Sequence, residues 1–169
     1  MADLPELVKS WIGKAVVVVE RTVTVEKESW LNFCAAIQDG NPLYWDESFA
    51  QSHTDHTIAP FAMLPSWGST HPWYPGKQGD GVRAMELHFM LKEALAYPNG
   101  IVTSVEMTYH EPVRAGDSVR VEQILRNVSE ERATRLGPGR DWTIEVVYRR
   151  QDQVLLGLES MSFLGYRRS

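Results

Sequence analysis

The chain has one cysteine among its 169 residues, no surplus of positive charge, and no apolar run long enough to cross a bilayer. Each shortage excludes something. A single cysteine cannot form an internal disulfide, so a hydrophobic core must hold the fold, and a chain of this length builds one without disulfide or metal staples. Lys+Arg 17 against Asp+Glu 22 gives a formal net charge of -5, which argues against a nucleic-acid partner, because phosphate binding requires a basic face. No membrane partner is expected from the missing apolar run. The opening residues carry no basic segment followed by an apolar stretch, so the cytoplasm is the expected compartment. Two catalytic signatures are missing as well. Ser66-Trp67-Gly68-Ser69 lacks the spacing of a hydrolase elbow, and Gly76-Lys77-Gln78-Gly79-Asp80-Gly81 lacks the order of a phosphate loop. His53-Thr54-Asp55-His56 brings donors close together without the further ligands a metal needs, so no metal is expected.

What is present is an ordinary globular composition, 43% hydrophobic and 23% charged, read as one domain over residues 1–169. The chain is organised around residues 28–50. Trp30, Phe33, Cys34 and Ile37 fall at i, i+3, i+4 and i+7, one apolar stripe of a helix, with Glu26 and Glu28 at its positive end. Ala35 and Ala36 beside the stripe let another layer approach, so the helix is expected to bury most of its circumference. Cys34 on that face reads as a small buried hydrophobe. Gln38-Asp39-Gly40-Asn41-Pro42 then supplies a glycine for a left-handed cap and a proline that ends the ladder. Asp39 and Asn41 are left at the helix mouth. There the negative helix end makes the Asp39 carboxylate a better proton acceptor, while the same residues also serve as plain turn chemistry.

Taken in order, residues 5–11 predict a short helix broken by Gly13, and residues 15–20 a β-branched strand, with Thr24 or a neighbour capping the core helix. Asp46 caps a second short helix through about Ser52. Residues 53–81 read as irregular surface or a pocket wall, in which His71-Pro72-Trp73-Tyr74-Pro75 suits an apolar cavity or a subunit interface. Val82, Met85, Phe89, Leu91 and Leu95 predict a helix over 83–96, on which His88 reads as a structural histidine with its bonds satisfied. Strands are expected at 101–110, 118–128, 142–150 and 154–166, in a consecutive meander. The layout is α+β, a sheet over a helix whose open edge calls for a second subunit. With net negative charge, an anionic ligand must be met locally; Arg83, Lys92 and Arg114 are the candidate cations, with a further cluster at Arg149-Arg150 and Arg167-Arg168, and Arg83 and Arg114 carry the weight.

The run from Asp39 to Ala50 resembles the signature D-x-N-P-(aliphatic)-H-x5-A of MaoC-like R-specific enoyl-CoA hydratases. Asp39, Asn41, Pro42, Leu43 and Ala50 match; Tyr44 stands where the family carries its histidine, and Gln38 replaces the usual glycine. Residues 57–64, 107–117 and 139–144 also resemble MaoC-type N-terminal domains, and the likeness extends to the MaoC-like subunits of heteromeric steroid side-chain hydratases. This resemblance implies a hot-dog fold, a curved antiparallel sheet wrapped around one long central helix. It implies hydration of a bulky trans-2-enoyl-CoA by a pair of hot-dog chains, a heterodimer, a homodimer or a dimer of dimers, one chain carrying the intact Asp/His pair. Asp39 is then the acid/base candidate, Asn41 orients water or the turn, and Tyr44 occupies the histidine position. A phenol with an ordinary pKa of about 10 is a poor base at neutral pH. Either Asp39 acts alone with reduced power, or the competent site belongs to the partner. Ile58, Ala59, Pro60 and Phe61 are implied to line the substrate, with peptide N–H groups around 58–62 as oxyanion donors. No cofactor is expected apart from coenzyme A within the substrate. A non-catalytic acyl-CoA-binding or assembly subunit is the alternative, and a thioesterase the third reading.

Overall fold

The computed structural model describes residues 4–20, 23–69, 75–76 and 85–168. A short helix α1 (Glu6–Trp11) leads through Gly13, at φ 79°, into strand β1 (Ala15–Val19). The apolar stripe then forms α2 (Lys27–Ile37), with Trp30 and Cys34 fully buried. Its other side departs from expectation: Ala35 and Ala36 are exposed and Ile37 is 55% exposed. Glu26, not Thr24, is its N-terminal flanking residue, because Thr24 is held in a bridge to Ser118. The left-handed residue that ends α2 is Gln38, at φ 59°, rather than Gly40. The reversal comes directly after the last helical residue, and the Asp39 N–H donates to the Cys34 carbonyl at 2.9 Å.

Five further helical segments follow among the described residues: α3 (Pro42–Trp45), α4 (Glu47–Thr54), a 3-10 turn (Phe61–Met63), α5 (Leu64–Trp67) and α6 (Glu86–Ala94). The described part of residues 53–81 is thus less irregular than expected, and residues 57–60 are buried. Ile58 and Ala59 N–H groups find carbonyl partners, which makes that burial tolerable. α6 falls inside the expected span and ends before Ala96, which turns back at φ 54°.

The sheet comprises β2 (Asn99–Tyr109), β3 (Val119–Val128), β4 (Arg132–Thr134), β5 (Gly137–Arg150) and β6 (Leu155–Tyr166) with β1, in the order β1-β3-β5-β6-β2, β4 pairing β5, all antiparallel. Alternation gives the central strands their buried face, as at Val119, Val121, Gln123 and Leu125 against Tyr148, Val146 and Ile144. It does not give the neighbour. The expected meander is therefore corrected: β2 crosses to the far edge and pairs with β6, leaving β1 beside β3.

α6 closes the sheet's buried face. Leu87 and Leu91 are fully buried, the Leu87 N–H donates to Gln123 Oε1 of β3 at 2.9 Å, and the His88 ring stands 5.5 Å from Trp142 of β5 and 4.2 Å from Phe163 of β6. The chain forms the expected α+β hot-dog fold, with α6 rather than α2 making these ties across three strands. His88 differs from expectation. It is 8% exposed, its Nδ1 has no hydrogen-bond partner among the described residues, and burial, then the charge of Lys92, lowers its pKa to about 4.

Candidate functional site

The turn after α2 is built by the residues that match the hydratase signature. Asp39 Oδ1 accepts from the Asn41 N–H at 3.0 Å, and Asn41 Oδ1 accepts from the Leu43 N–H at 3.1 Å, capping α3 with Pro42 at its first position. Two indoles clamp the corner: Trp45 Nε1 donates to the Asp39 carbonyl at 2.7 Å, and Trp30 Nε1 to the Tyr44 carbonyl at 3.3 Å. Asp46 then caps α4, as expected, by accepting from the Phe49 N–H at 3.0 Å.

Tyr44 is 9% exposed. Burial first, and the negative charge of Asp39 second, push its phenol above the ordinary range; the Asn41 side chain opposes this and Cys34 adds to it. The side chain standing in the histidine's place therefore keeps its proton at neutral pH and is poorly suited to act as a base. Burial and the Asp39 charge likewise raise the Cys34 thiol, which makes it a poor nucleophile.

The segment 57–62 lies against this corner through the Ile58 N–H, which donates to the Leu43 carbonyl at 3.1 Å. The Ala59 N–H is also spent, on the Val113 carbonyl at 2.8 Å, and Pro60 has none. Phe61 and Ala62 open the 3-10 turn, whose own bonding starts with the Met63 N–H on the Pro60 carbonyl at 2.9 Å. Among the expected oxyanion donors, these two N–H groups are the ones that the described hydrogen bonds leave available.

Arg114 joins the same neighbourhood. Its Nη2 donates to the Thr54 carbonyl at 3.3 Å, its backbone N–H to Asp117 Oδ2 at 2.8 Å, and its buried Nε has no partner among the described residues. It lines a cavity of about 260 Å³ with Lys27, Glu47, His56, Thr57 and Ala115. Glu47 meets Lys27 and His56 there, each at 3.3 Å, and the Lys27 bond is the main cause that holds its carboxyl below the usual range. Sequence reasoning missed Lys27 and His56, which no spacing connects to Arg114. A second cavity, about 430 Å³ between Phe89, Lys92, Glu93, Ala96, Tyr97 and Pro98, shares no residue with the corner. His53 stacks on Phe49 at 4.3 Å, away from His56's carboxylate partner, and among the described residues no group of three or more His, Cys, Asp or Glu gathers. Arg83 and residues 71–74 lie outside the described residues.

Among the described residues no helix is long and apolar enough to cross a membrane. The family model for the FAS1-like, dehydratase domain region matches residues 10–156. The "Probable enoyl-CoA hydratase alpha subunit" of Thermomonospora curvata is 26% identical over 170 residues, covering 98% of this chain and 52% of that protein. The chain thus spans about half the length of that curated relative. One chain of the ChsH1-ChsH2 complex from Mycobacterium tuberculosis superposes with a TM-score of 0.77 at 23% identity, over 100% of this chain and 99% of that one. The MaoC-like dehydratase from Rhodospirillum rubrum gives 0.61 at 16% identity, over 90% of each chain. The (R)-hydratase from A. caviae involved in PHA biosynthesis gives 0.56 at 17%, over 89% of this chain and 95% of that one. At such identities, likeness to the solved structures establishes the hot-dog fold.

Proposed function

The chain belongs to the FAS1-like dehydratase family of MaoC-like hydratases, and from that premise we propose that it is one hot-dog domain of a 2-enoyl-CoA hydratase whose intact Asp/His pair is supplied by a partner chain. The reaction adds water across the C2=C3 bond of a trans-2-enoyl thioester. A base takes a proton from water, the hydroxide oxygen bonds to C3, and the enolate formed at the thioester is protonated at C2. Backbone N–H groups aimed at the thioester oxygen stabilise that enolate, and Phe61 and Ala62 are the donors in this chain suited to the task.

The observation that carries the reading is Tyr44: a buried, proton-holding phenol where the signature needs a base. Asp39 remains the acid/base candidate of this chain, yet one of its oxygens and its carbonyl are engaged in building the turn. The partner belongs along β2, an eleven-residue edge strand with Ile101, Val102, Val105 and Tyr109 exposed. The similar Mycobacterium tuberculosis structure is itself a two-component complex. The substrate is a bulky acyl-CoA; a steroid side-chain thioester is the first to test, given the motif's resemblance to the subunits of such hydratases. Arg114 and Lys27, at the cavity beside the corner, would meet coenzyme A phosphates.

The test is Asp39→Asn in the assembled protein, followed by loss of enoyl-thioester absorbance. A loss below about threefold is expected. A loss of roughly a hundredfold or more, the scale of a missing acid/base group, would move the chemistry to Asp39 of this chain. The alternative, a non-catalytic acyl-CoA-binding subunit, rests on the same Tyr44 and requires no turnover by the assembly.

A further inference from the structure

Beyond Phe61, the buried face of the sheet holds a carboxylate that the hydration does not use. Glu159 of β6 lies opposite Val146 of β5 and Met107 of β2, on the same face as Phe163, which meets His88 of α6. Its neighbours on that face, Met107, Val146 and Met161, are apolar, and Glu159 itself is half-buried. Among the described residues one hydrogen bond reaches it, from the Tyr148 hydroxyl at 2.5 Å.

Tyr148 is a fixed donor. It is buried, and its ring is pressed under the end of α5, where a Cβ on Gly68 would come within 2.5 Å. Burial, then the Glu159 charge, holds its phenol far above the ordinary range. Gly157 separates Tyr148 from Tyr109 in the pairing across β5, β6 and β2, and the Tyr109 ring stands 5.3 Å from Phe61. The dyad and the turn that offers the Phe61 and Ala62 N–H groups therefore flank one row of the sheet, with Leu64 over Gly157 between them. On the same side of β2, Val105 and Tyr109 are exposed, and Glu159 itself keeps part of its surface accessible in this chain. A carboxylate has about four acceptor positions. Tyr148 fills one of them, and a half-buried carboxylate among methionines gains from a second donor.

We propose that Glu159, positioned by Tyr148, accepts a hydrogen bond from a hydroxyl on the acyl moiety, so that the site selects 2-enoyl-CoA thioesters hydroxylated away from the reacting double bond. The inference rests on the enoyl-CoA reading above and adds a specificity residue to it. The probes are dec-2-enoyl-CoA and analogues bearing one hydroxyl at each carbon from the sixth to the tenth. Binding and hydration of each are measured on protein purified from its native source, so that any partner remains bound.

At least one hydroxylated analogue should bind about tenfold tighter than the plain thioester, the scale of a hydrogen bond to a charged group. In Glu159→Gln that ratio should collapse to within about twofold, and Tyr148→Phe should reduce it part of the way. Equal binding of all probes by the unmodified protein overturns the inference; if dec-2-enoyl-CoA is still hydrated, the hydratase reading survives it. Dissociation of the assembly in Glu159→Gln, seen as a change in particle mass, also overturns it, by assigning the carboxylate to a donor on the partner. Failure of every probe to bind or react removes the enoyl-CoA reading and this inference together.

Discussion

The two edges of the sheet are built on opposite principles. β1 is five residues long, breaks register between Ala15 and Val17, and is flanked by the bond from the Gly13 N–H to the Leu125 carbonyl at 2.8 Å and by the Arg120–Glu20 ion pair. β2, at the other edge, has eleven residues, pairs regularly with β6 apart from one shift between Val102 and Ser104, and exposes a run of β-branched side chains. Short, bulged and charged edges discourage pairing, whereas long apolar ones invite it. The difference marks β2 as the edge along which the proposed partner would add.

Reversing the character of the open edge should have the largest effect. Ile101→Lys with Val102→Lys is expected to cost at least about 2 kcal/mol of association, roughly thirtyfold in dissociation constant. Hydration should fall with the loss of assembled particles, read by sedimentation and by assay. The same change at the closed edge, Val18→Lys, should leave assembly intact; equal disruption by both would erase the contrast.

Acid sharpens the comparison by acting on the fold rather than the edge. His88 has a folded pKa of about 4 against an unfolded value near 6.5, so between those pH values the unfolded chain binds the extra proton. Stability is untouched above about pH 6.5 and falls as pH drops towards 4, by about 3 kcal/mol in total. Denaturant midpoints across that window should show the slope, and His88→Phe should flatten it. An unchanged slope in the variant would assign the acid sensitivity elsewhere. The smallest effect belongs to the closed edge: Glu20→Ala removes a solvent-facing partner from Arg120, which keeps its pairing with Glu122, and the unfolding midpoint and particle mass should hardly move.

Local chemistry made much of this legible. The Trp30 to Cys34 stripe, the Asp46 cap and the alternation of β3 and β5 are short-range patterns, and each appears where the residues require. The crossing of β2 to β6 was not legible, because alternation specifies a face and not a neighbour. Nor were the Lys27, His56 and Arg114 cavity and the Tyr148 and Glu159 dyad, which arise when distant strands and helices close on one another. The corner shows both sides. Asp39, Asn41 and Tyr44 were found by motif, but their engagement in a turn and the proton held on Tyr44 depend on burial that sequence does not state.

The most direct measurement follows enoyl-thioester absorbance with this chain alone, and again after a hot-dog partner carrying both Asp and His of the signature is added. The expected result is no turnover above background from the isolated chain and rapid turnover from the pair. Undiminished hydration by the isolated chain would contradict the division of labour inferred from Tyr44 and the β2 edge.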